Sequence, residues 1–196
     1  MKKLLLLALS CAFLSTASQA QIKFGVKAGL NLATITGDNE LQNLKMNPNF
    51  YGGALVQIGL GKMFAVQPEV LYSGQGTKSN FESDDFKINL GYLNVPVLFR
   101  YNHPSGFFAA TGPQMGFLLS AQQKAGSDHI DVKSSFKSTD FSWAFGVGYM
   151  LKPINLGVEA RFNQGLSNIA ANSDQNSGTG HNQVFQVGLV YMFGGL

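Results

Sequence analysis

A strict two-residue alternation, repeated in long segments, is the feature that most limits how this chain can fold. In residues 141–151 every odd position is bulky and apolar, and the even positions up to 148 are Ser, Ala or Gly. A period of two is typical of a β-strand with different surroundings on its two faces, and helical periodicity is nearly absent. Eight segments follow this pattern and are predicted as strands: 22–35, 50–61, 63–76, 86–101, 106–122, 141–151, 155–167 and 184–193.

The connections between these predicted strands alternate between short and long. Tight turns occur at 61–62, 102–105 and 152–153, whereas the other four connections are polar and about ten to sixteen residues long. Short turns on one side and long loops on the other are typical of outer-membrane barrels. A tilted strand needs about 9–11 residues to cross the bilayer, and strands of soluble proteins have about five or six. The sequence therefore predicts an all-β fold, an eight-stranded antiparallel transmembrane up-and-down β-barrel.

A soluble, lipocalin-like barrel is the alternative, and it would require the apolar faces to point inward. Its exterior would then consist of the opposite faces, which carry Gln, Asn, Glu, Arg and abundant Gly. Only 13% of the chain is charged, about half the usual content of a soluble domain. These polar faces suit a crowded lumen better than a water-exposed surface, so the apolar faces are predicted to contact outer-membrane lipid.

Aromatic side chains recur on the apolar faces, often near the ends of the predicted strands. Membrane barrels carry such residues as girdles at the two interfaces with water. We expect the following residues to face outward: Phe24, Phe64, Tyr72, Tyr101, Phe107, Phe141, Trp143, Tyr149, Phe185, Tyr191 and Phe193. In segment 86–101 the phase of the alternation changes at Tyr92-Leu93, which predicts a β-bulge there.

Residues 1–20 have the layout of a secretory signal peptide. Lys2 and Lys3 precede an apolar stretch, and Ser18-Gln19-Ala20 provides small residues before a cut between Ala20 and Gln21. The apolar stretch is too short to span a bilayer as a helix. We therefore expect export by the Sec pathway to the outer membrane of a Gram-negative bacterium, with 21–196 as a single barrel domain.

Removal of this segment changes the charge balance of the chain. Lys2 and Lys3 are two of the 14 Lys and Arg residues, so 12 would remain against 11 Asp and Glu, a net charge of +1. A nearly neutral chain has no electrostatic footprint for nucleic acid. Cys11 is the only cysteine, so the mature chain would have no disulfide and no thiolate metal ligand. Lipoprotein processing at Cys11 is a less favoured alternative, because few apolar residues precede it.

Segment 92–101, YLNVPVLFRY, is similar to the Y-L-x-[IV]-P-[LV]-L-x-[KR]-Y strand of PorT-like outer-membrane β-barrel proteins of the Bacteroidota lineage. Tyr92, Pro96, Arg100 and Tyr101 are its motif residues. Further matching pieces occur in the same order along the chain: GVKAGLN (25–31), QPEVLYS (67–73), GPQMG (112–116), EARF (159–162) and GLSNI (165–169). Phe162 departs from the pattern, since Tyr is commoner there. The resemblance implies an outer-membrane barrel, and some such relatives serve a protein-secretion and gliding apparatus.

Five charged residues fall on faces that are expected to line the barrel interior: Lys27, Glu69, Arg100, Glu159 and Arg161. An eight-stranded barrel is only wide enough for side chains to fill it, and an unpaired buried charge costs several kcal/mol. We therefore expect a structural network of ion pairs in the lumen. A narrow ion-conducting path through these charges is the alternative.

Residues suited to catalysis or to metal binding are sparse. Asp128-His129-Ile130-Asp131 lacks a second nitrogen ligand for a metal, and Ser127, His129 and Asp131 match a rim hydrolase only in residue type. We expect no catalytic, cofactor-binding or metal residues. The function predicted is a non-enzymatic, monomeric outer-membrane protein whose loops contact a partner or surface, as an accessory to secretion or envelope assembly. A small porin-like channel and a lipid-active enzyme are the alternatives.

Overall fold

A computed structural model describes residues 21–37, 45–81, 84–125, 128–169 and 180–194. It contains nine strands: β1 (Ile22–Gly37), β2 (Lys45–Leu60), β3 (Phe64–Phe81), β4 (Asp84–Asn102), β5 (Phe107–Ala125), β6 (Asp128–Asp131), β7 (Thr139–Leu151), β8 (Leu156–Gly165) and β9 (Gly180–Phe193). Two short 3-10 helices occupy Lys133–Ser135 and Lys152–Ile154. Within these ranges, no helix is long and apolar enough to cross a membrane.

Eight of the strands form a closed barrel. The neighbours follow the order β4-β3-β2-β1-β9-β8-β7-β5, and the pairing of β4 with β5 closes the ring. Every neighbouring pair is antiparallel. Closure pairs the backbone groups of each barrel strand, as a lipid environment demands. The predicted eight-stranded antiparallel barrel is thus confirmed, and the short β6 is an addition that, among the described strands, pairs only with the end of β5.

The two faces of each strand have opposite surroundings. In β7 exposed and buried residues alternate almost throughout, with Phe145 54% exposed and Ala144 fully buried. Ten of the eleven aromatic residues expected to face outward are exposed, and Tyr101 is half-buried. Aromatic pairs occur toward both ends of the apolar band, with ring centroids 5.4 Å apart for Phe64 and Phe99 and 5.7 Å apart for Phe50 and Tyr72. This exterior is the apolar band of a membrane barrel with aromatic girdles.

The connections on the side away from the chain termini are shorter than predicted. The sequence indicates a long loop after residue 76, but β3 continues to Phe81 and β4 begins at Asp84. Likewise β5 runs to Ala125 and is followed at once by β6, inside a segment predicted as loop. Above the membrane both faces of a strand meet water, so no alternation is required and the period-two signal disappears. Strands β3, β4 and β5 therefore rise beyond the apolar band as an extracellular sheet.

The predicted bulge lies at the expected height but on the neighbouring strand. Gly91 pairs with Ser120 and Tyr92 with Leu118, so the extra residue is Leu119 of β5. The pairing of β4 with β3 is uninterrupted over this stretch. The sequence misleads here because Tyr92 is large yet points into the lumen. Because the outward Leu93 follows it directly, two large residues stand side by side in the sequence, and this pair resembles a change in the phase of the alternation in β4.

Candidate functional site

Four of the five predicted interior charges meet near the middle of the barrel, and we call them the charge quartet: Lys27, Glu69, Glu159 and Arg161. Lys27 Nζ lies 3.3 Å from Glu69 Oε1 and 2.8 Å from Glu159 Oε1. The Arg161 guanidinium donates to both Glu69 oxygens at 2.8 Å, and its Nη2 lies 2.7 Å from Glu159 Oε1. All four residues are at most 3% exposed. Two cations and two carboxylates thus balance in charge, with the bidentate arginine geometry that makes such contacts strong.

The quartet joins strands that are not neighbours in the barrel wall. Lys27 belongs to β1, Glu69 to β3, and Glu159 and Arg161 to β8. Their side chains therefore cross the lumen, and Gln67 adds a hydrogen bond of 2.7 Å from its Nε2 to Glu69 Oε1. The arrangement fills the bore at this level, as the small diameter of an eight-stranded barrel requires.

Arg100, the fifth predicted charge, is held apart from the quartet by neutral groups. Its Nη1 donates to Gln67 Oε1 at 3.0 Å and its Nε to Asn102 Oδ1 at 2.8 Å. Its Cζ lies 3.5 Å from the centroid of the Phe108 ring, a cation–π contact. In the part of the chain that the structure describes, Arg100 has no carboxylate within ion-pair distance. The expectation that all five charges pair is therefore wrong for Arg100.

Two further layers close the bore on the extracellular side of the quartet. In the first, Asn31 Nδ2 donates to Ser73 Oγ at 2.9 Å, and Gln186 Nε2 donates to Asn31 Oδ1 at 2.8 Å. In the second, Ile169 and Val132, from two connections, pack with inward side chains of the strands. This apolar cap also contains Ile35, Leu90, Tyr92, Leu118, Ala121, Ile88 and Phe136. The interior is thus filled by polar and then apolar side chains up to the rim.

The motif residues of β4 divide between the two faces of the barrel wall. Tyr92, Pro96 and Arg100 are buried at a spacing of four along the lumen side. Tyr101 lies on the outer side, where its ring centroid is 5.5 Å from that of Phe64. The motif therefore combines lumen packing with one residue of the girdle at the end where the tight turns lie.

Two interior aromatic residues, Tyr51 and Phe108, are not predicted by the sequence pattern and are 2% and 1% exposed. Both lie where neighbouring strands carry glycine. A Cβ at Gly29 would lie 2.8 Å from Tyr51 Cε1, and one at Gly148 would overlap the Phe108 ring. Glycines on adjacent strands are the signal that could have revealed these inward rings, since a large ring needs missing side chains beside it.

The residues considered for rim catalysis form no such site where they are described. Asp131 Oδ1 accepts a hydrogen bond of 2.8 Å from the Lys133 backbone N–H and so supports a turn. Ser127 and the side chain of His129 lie outside the described residues. Across the described ranges, no group of three or more His, Cys, Asp or Glu residues is placed to hold a metal ion. Ala20 also lies outside them, and the carbonyl of Gln21 accepts a 3.2 Å bond from Gly59 N–H.

A closed barrel of eight antiparallel strands, with a lipid-facing apolar exterior and a polar interior, is the architecture of an integral outer-membrane protein. Residues 17–171 match the family model described as outer membrane protein beta-barrel domain, and the chain belongs to this family. Its location is accordingly the outer membrane. No curated protein sequence matches the chain.

Solved barrels share this fold at low sequence identity. Neisserial surface protein A (NspA) has a TM-score of 0.56 and 14% identity, over 87% of this chain and 97% of that one. Ail, the attachment invasion locus protein of Yersinia pestis, crystallised with the heparin analogue sucrose octasulfate, has a TM-score of 0.50 and 13% identity, over 88% and 99%. At such identities the similarity concerns the fold alone.

Proposed function

We propose that the protein is a closed, non-enzymatic barrel whose extracellular sheet binds a protein of an envelope or secretion assembly. The observation that carries this proposal is the division of the molecule into a filled bore and a sheet that rises beyond the membrane. A filled bore favours a scaffold over a conduit. The resemblance of segment 92–101 to PorT-like proteins is the reason for naming a secretion or envelope assembly.

The edge of the extracellular sheet supports this proposal. Asp128–Asp131 of β6 pairs with residues 122–125 of β5, and in the described chain no other strand pairs with it. Among the described residues the backbone groups on its outer side face no further strand, and a strand from another protein can add to an edge of this kind. Such an edge offers main-chain hydrogen bonds to a partner without requiring a pocket.

We predict that one partner protein co-purifies with the intact barrel from gently solubilised outer membrane. Replacing residues 128–131 with Gly-Ser-Gly-Ser removes the strand edge and is expected to reduce recovery of that partner at least tenfold. A matched variant, Lys62→Ser in the turn between β2 and β3, leaves the extracellular sheet intact and should recover it fully. Equal recovery with both variants, or no partner above background with the intact barrel, would contradict the proposal. A gel-mobility change on boiling checks that each variant is folded.

The proposal includes export by the Sec pathway with removal of residues 1–20, so that the barrel domain is 21–196. The mature chain then begins at Gln21, whose carbonyl accepts a hydrogen bond from the N–H of Gly59 near the end of β2. The intact mass of the protein purified for the partner experiment measures where cleavage occurs. A mass that retains the first twenty residues rejects this part of the proposal.

A closed bore also predicts the electrical behaviour of the purified barrel. Reconstituted in planar lipid bilayers, the protein is expected to give no discrete conductance steps above the baseline of the empty membrane. The reason is that the charge quartet and the apolar cap lie in series across the lumen. A general porin measured in the same bilayers is the positive control. Reproducible unitary steps from the refolded protein would favour the porin-like alternative instead.

A further inference from the structure

A cavity of about 830 Å³ lies at the periplasmic end of the barrel. The three tight turns surround it, and Gln57, Met150 and Met192 contribute to its walls. Phe64 and Phe107, which also line it, are exposed on the lipid-facing exterior. The cavity is therefore bounded by lumen side chains and by residues that contact lipid. The proposed extracellular partner does not use it.

Positive charge dominates this cavity, which we call the basic vestibule. Lys23, Lys62, Arg100 and Lys152 all line it, together with His103, and none of the described Asp and Glu residues does. Of the 11 acidic residues, Glu69 and Glu159 neutralise the two cations of the quartet, and none of the other nine belongs in sequence to one of the three tight turns. A cleft lined by charge of one sign concentrates ions of the other sign. The vestibule is therefore suited to an anion.

Arg100 and Lys152 are oriented by neutral acceptors, so neither positive charge is neutralised by the contacts that hold it. Arg100 is 1% exposed and donates to two side-chain amides, as described above. Lys152 Nζ donates to the Pro104 carbonyl at 2.6 Å, which links two of the turns. A buried guanidinium without a counter-charge is costly. An anion within the vestibule would supply that counter-charge.

We propose that the basic vestibule binds a phosphate group. Guanidinium and ammonium groups together are the side chains that recognise phosphate most strongly in proteins. The volume of about 830 Å³ exceeds what a phosphate ion needs and leaves room for the rest of a phosphorylated molecule. Since Phe64 and Phe107 bring the lipid-facing surface to its edge, the phosphate of a lipid headgroup in the periplasmic leaflet can enter from the side, and soluble phosphate can enter from the periplasm.

The test uses the refolded mature barrel in dodecyl maltoside at low ionic strength, titrated in a calorimeter with inorganic phosphate or with dihexanoyl phosphatidylglycerol. The double variant Lys23→Gln/Lys152→Gln is expected to weaken saturable binding at least tenfold. The control Lys133→Gln/Lys137→Gln removes the same charge from the exposed segment between β6 and β7, and should change binding less than twofold. Both variants must show the gel-mobility change of a folded barrel.

The two probes distinguish the sources of the phosphate. Binding of both with similar affinity identifies the phosphate group itself as the ligand, whereas binding of the short-chain lipid alone identifies a headgroup, and either result supports the proposal. Arg100→Lys keeps the buried positive charge but removes the planar guanidinium group. This variant should weaken binding of both phosphate probes while the barrel remains folded. The proposal is overturned if neither probe saturates, or if the site and control variants lose affinity equally. None of these outcomes depends on the extracellular partner.

Discussion

Replacing Glu69 with Gln is expected to lower the free energy of unfolding by about 3–5 kcal/mol, the usual cost of breaking a buried ion pair. The substitution preserves side-chain size but removes a charge shared by Lys27 and Arg161. Two buried cations are then left with the single carboxylate of Glu159. Urea unfolding of the refolded barrel in micelles, followed by the fluorescence of Trp143, the only tryptophan, measures the change.

A second variant separates the loss of charge balance from the loss of a particular contact. Lys27→Met/Glu69→Gln removes one charge of each sign and leaves Arg161 paired with Glu159 at 2.7 Å. We expect this double variant to be more stable than Glu69→Gln alone by at least about 1 kcal/mol, since residues in one network are strongly coupled. If the destabilisation of the double variant equalled the sum of those measured for Lys27→Met and Glu69→Gln separately, the quartet would not be acting as a balanced unit.

Gly29→Val is expected to prevent formation of the folded barrel. Gly29 pairs with Gly188 across β1 and β9, and a Cβ at Gly29 would overlap the backbone oxygen of Val187 and lie 2.8 Å from Tyr51 Cε1. The backbone cannot move away without disturbing the β1–β9 pairing. The loss of folding free energy should therefore exceed the roughly 1–3 kcal/mol typical of overpacking. Boiled and unboiled samples on a gel should then migrate alike.

Gly52→Val is the matched control, on the strand next to β1. A Cβ at Gly52 would find its nearest neighbour, the Lys27 carbonyl oxygen, at 3.5 Å, an ordinary contact. Valine is also favoured in strands, so this variant should fold and keep its gel-mobility change. If both variants folded equally well, the close packing of Tyr51 over Gly29 and Gly188 would not limit the barrel.

Much of the fold could be predicted from sequence because lipid imposes the same requirement along every outward face. In β7 and β9 each outward position is apolar over the full width of the membrane, so period two shows clearly. The same logic fails where the strands leave the membrane. Beyond the apolar band lipid imposes no alternation, so the hairpin formed by the ends of β3 and β4 has the amino-acid composition of a loop.

The interior charges could be assigned to the lumen but not to their partners. Glu69 stands opposite Leu55 in the wall, yet its ion pairs are with Lys27 and with Arg161 of a distant strand. Which inward residues meet depends on the stagger of the strands around the barrel, and no local pattern records that stagger. The sequence pattern therefore groups Arg100 with the other interior charges, whereas in the barrel Arg100 contacts Asn102 and the Phe108 ring.

The charge quartet also has a consequence for the order of assembly. Lys27 and Glu159 are separated by 132 positions along the chain and Glu69 and Arg161 by 92, so the charges on β1 and β3 meet the rest of the quartet only when β8 is in place. Contacts between distant parts of a chain form late and slowly. A half-built barrel would therefore hold Lys27 and Glu69 in an apolar environment with only part of their ion pairs formed, which opposes any partly inserted intermediate. Insertion is accordingly expected to approach an all-or-none event, completed when the last strands close on the first.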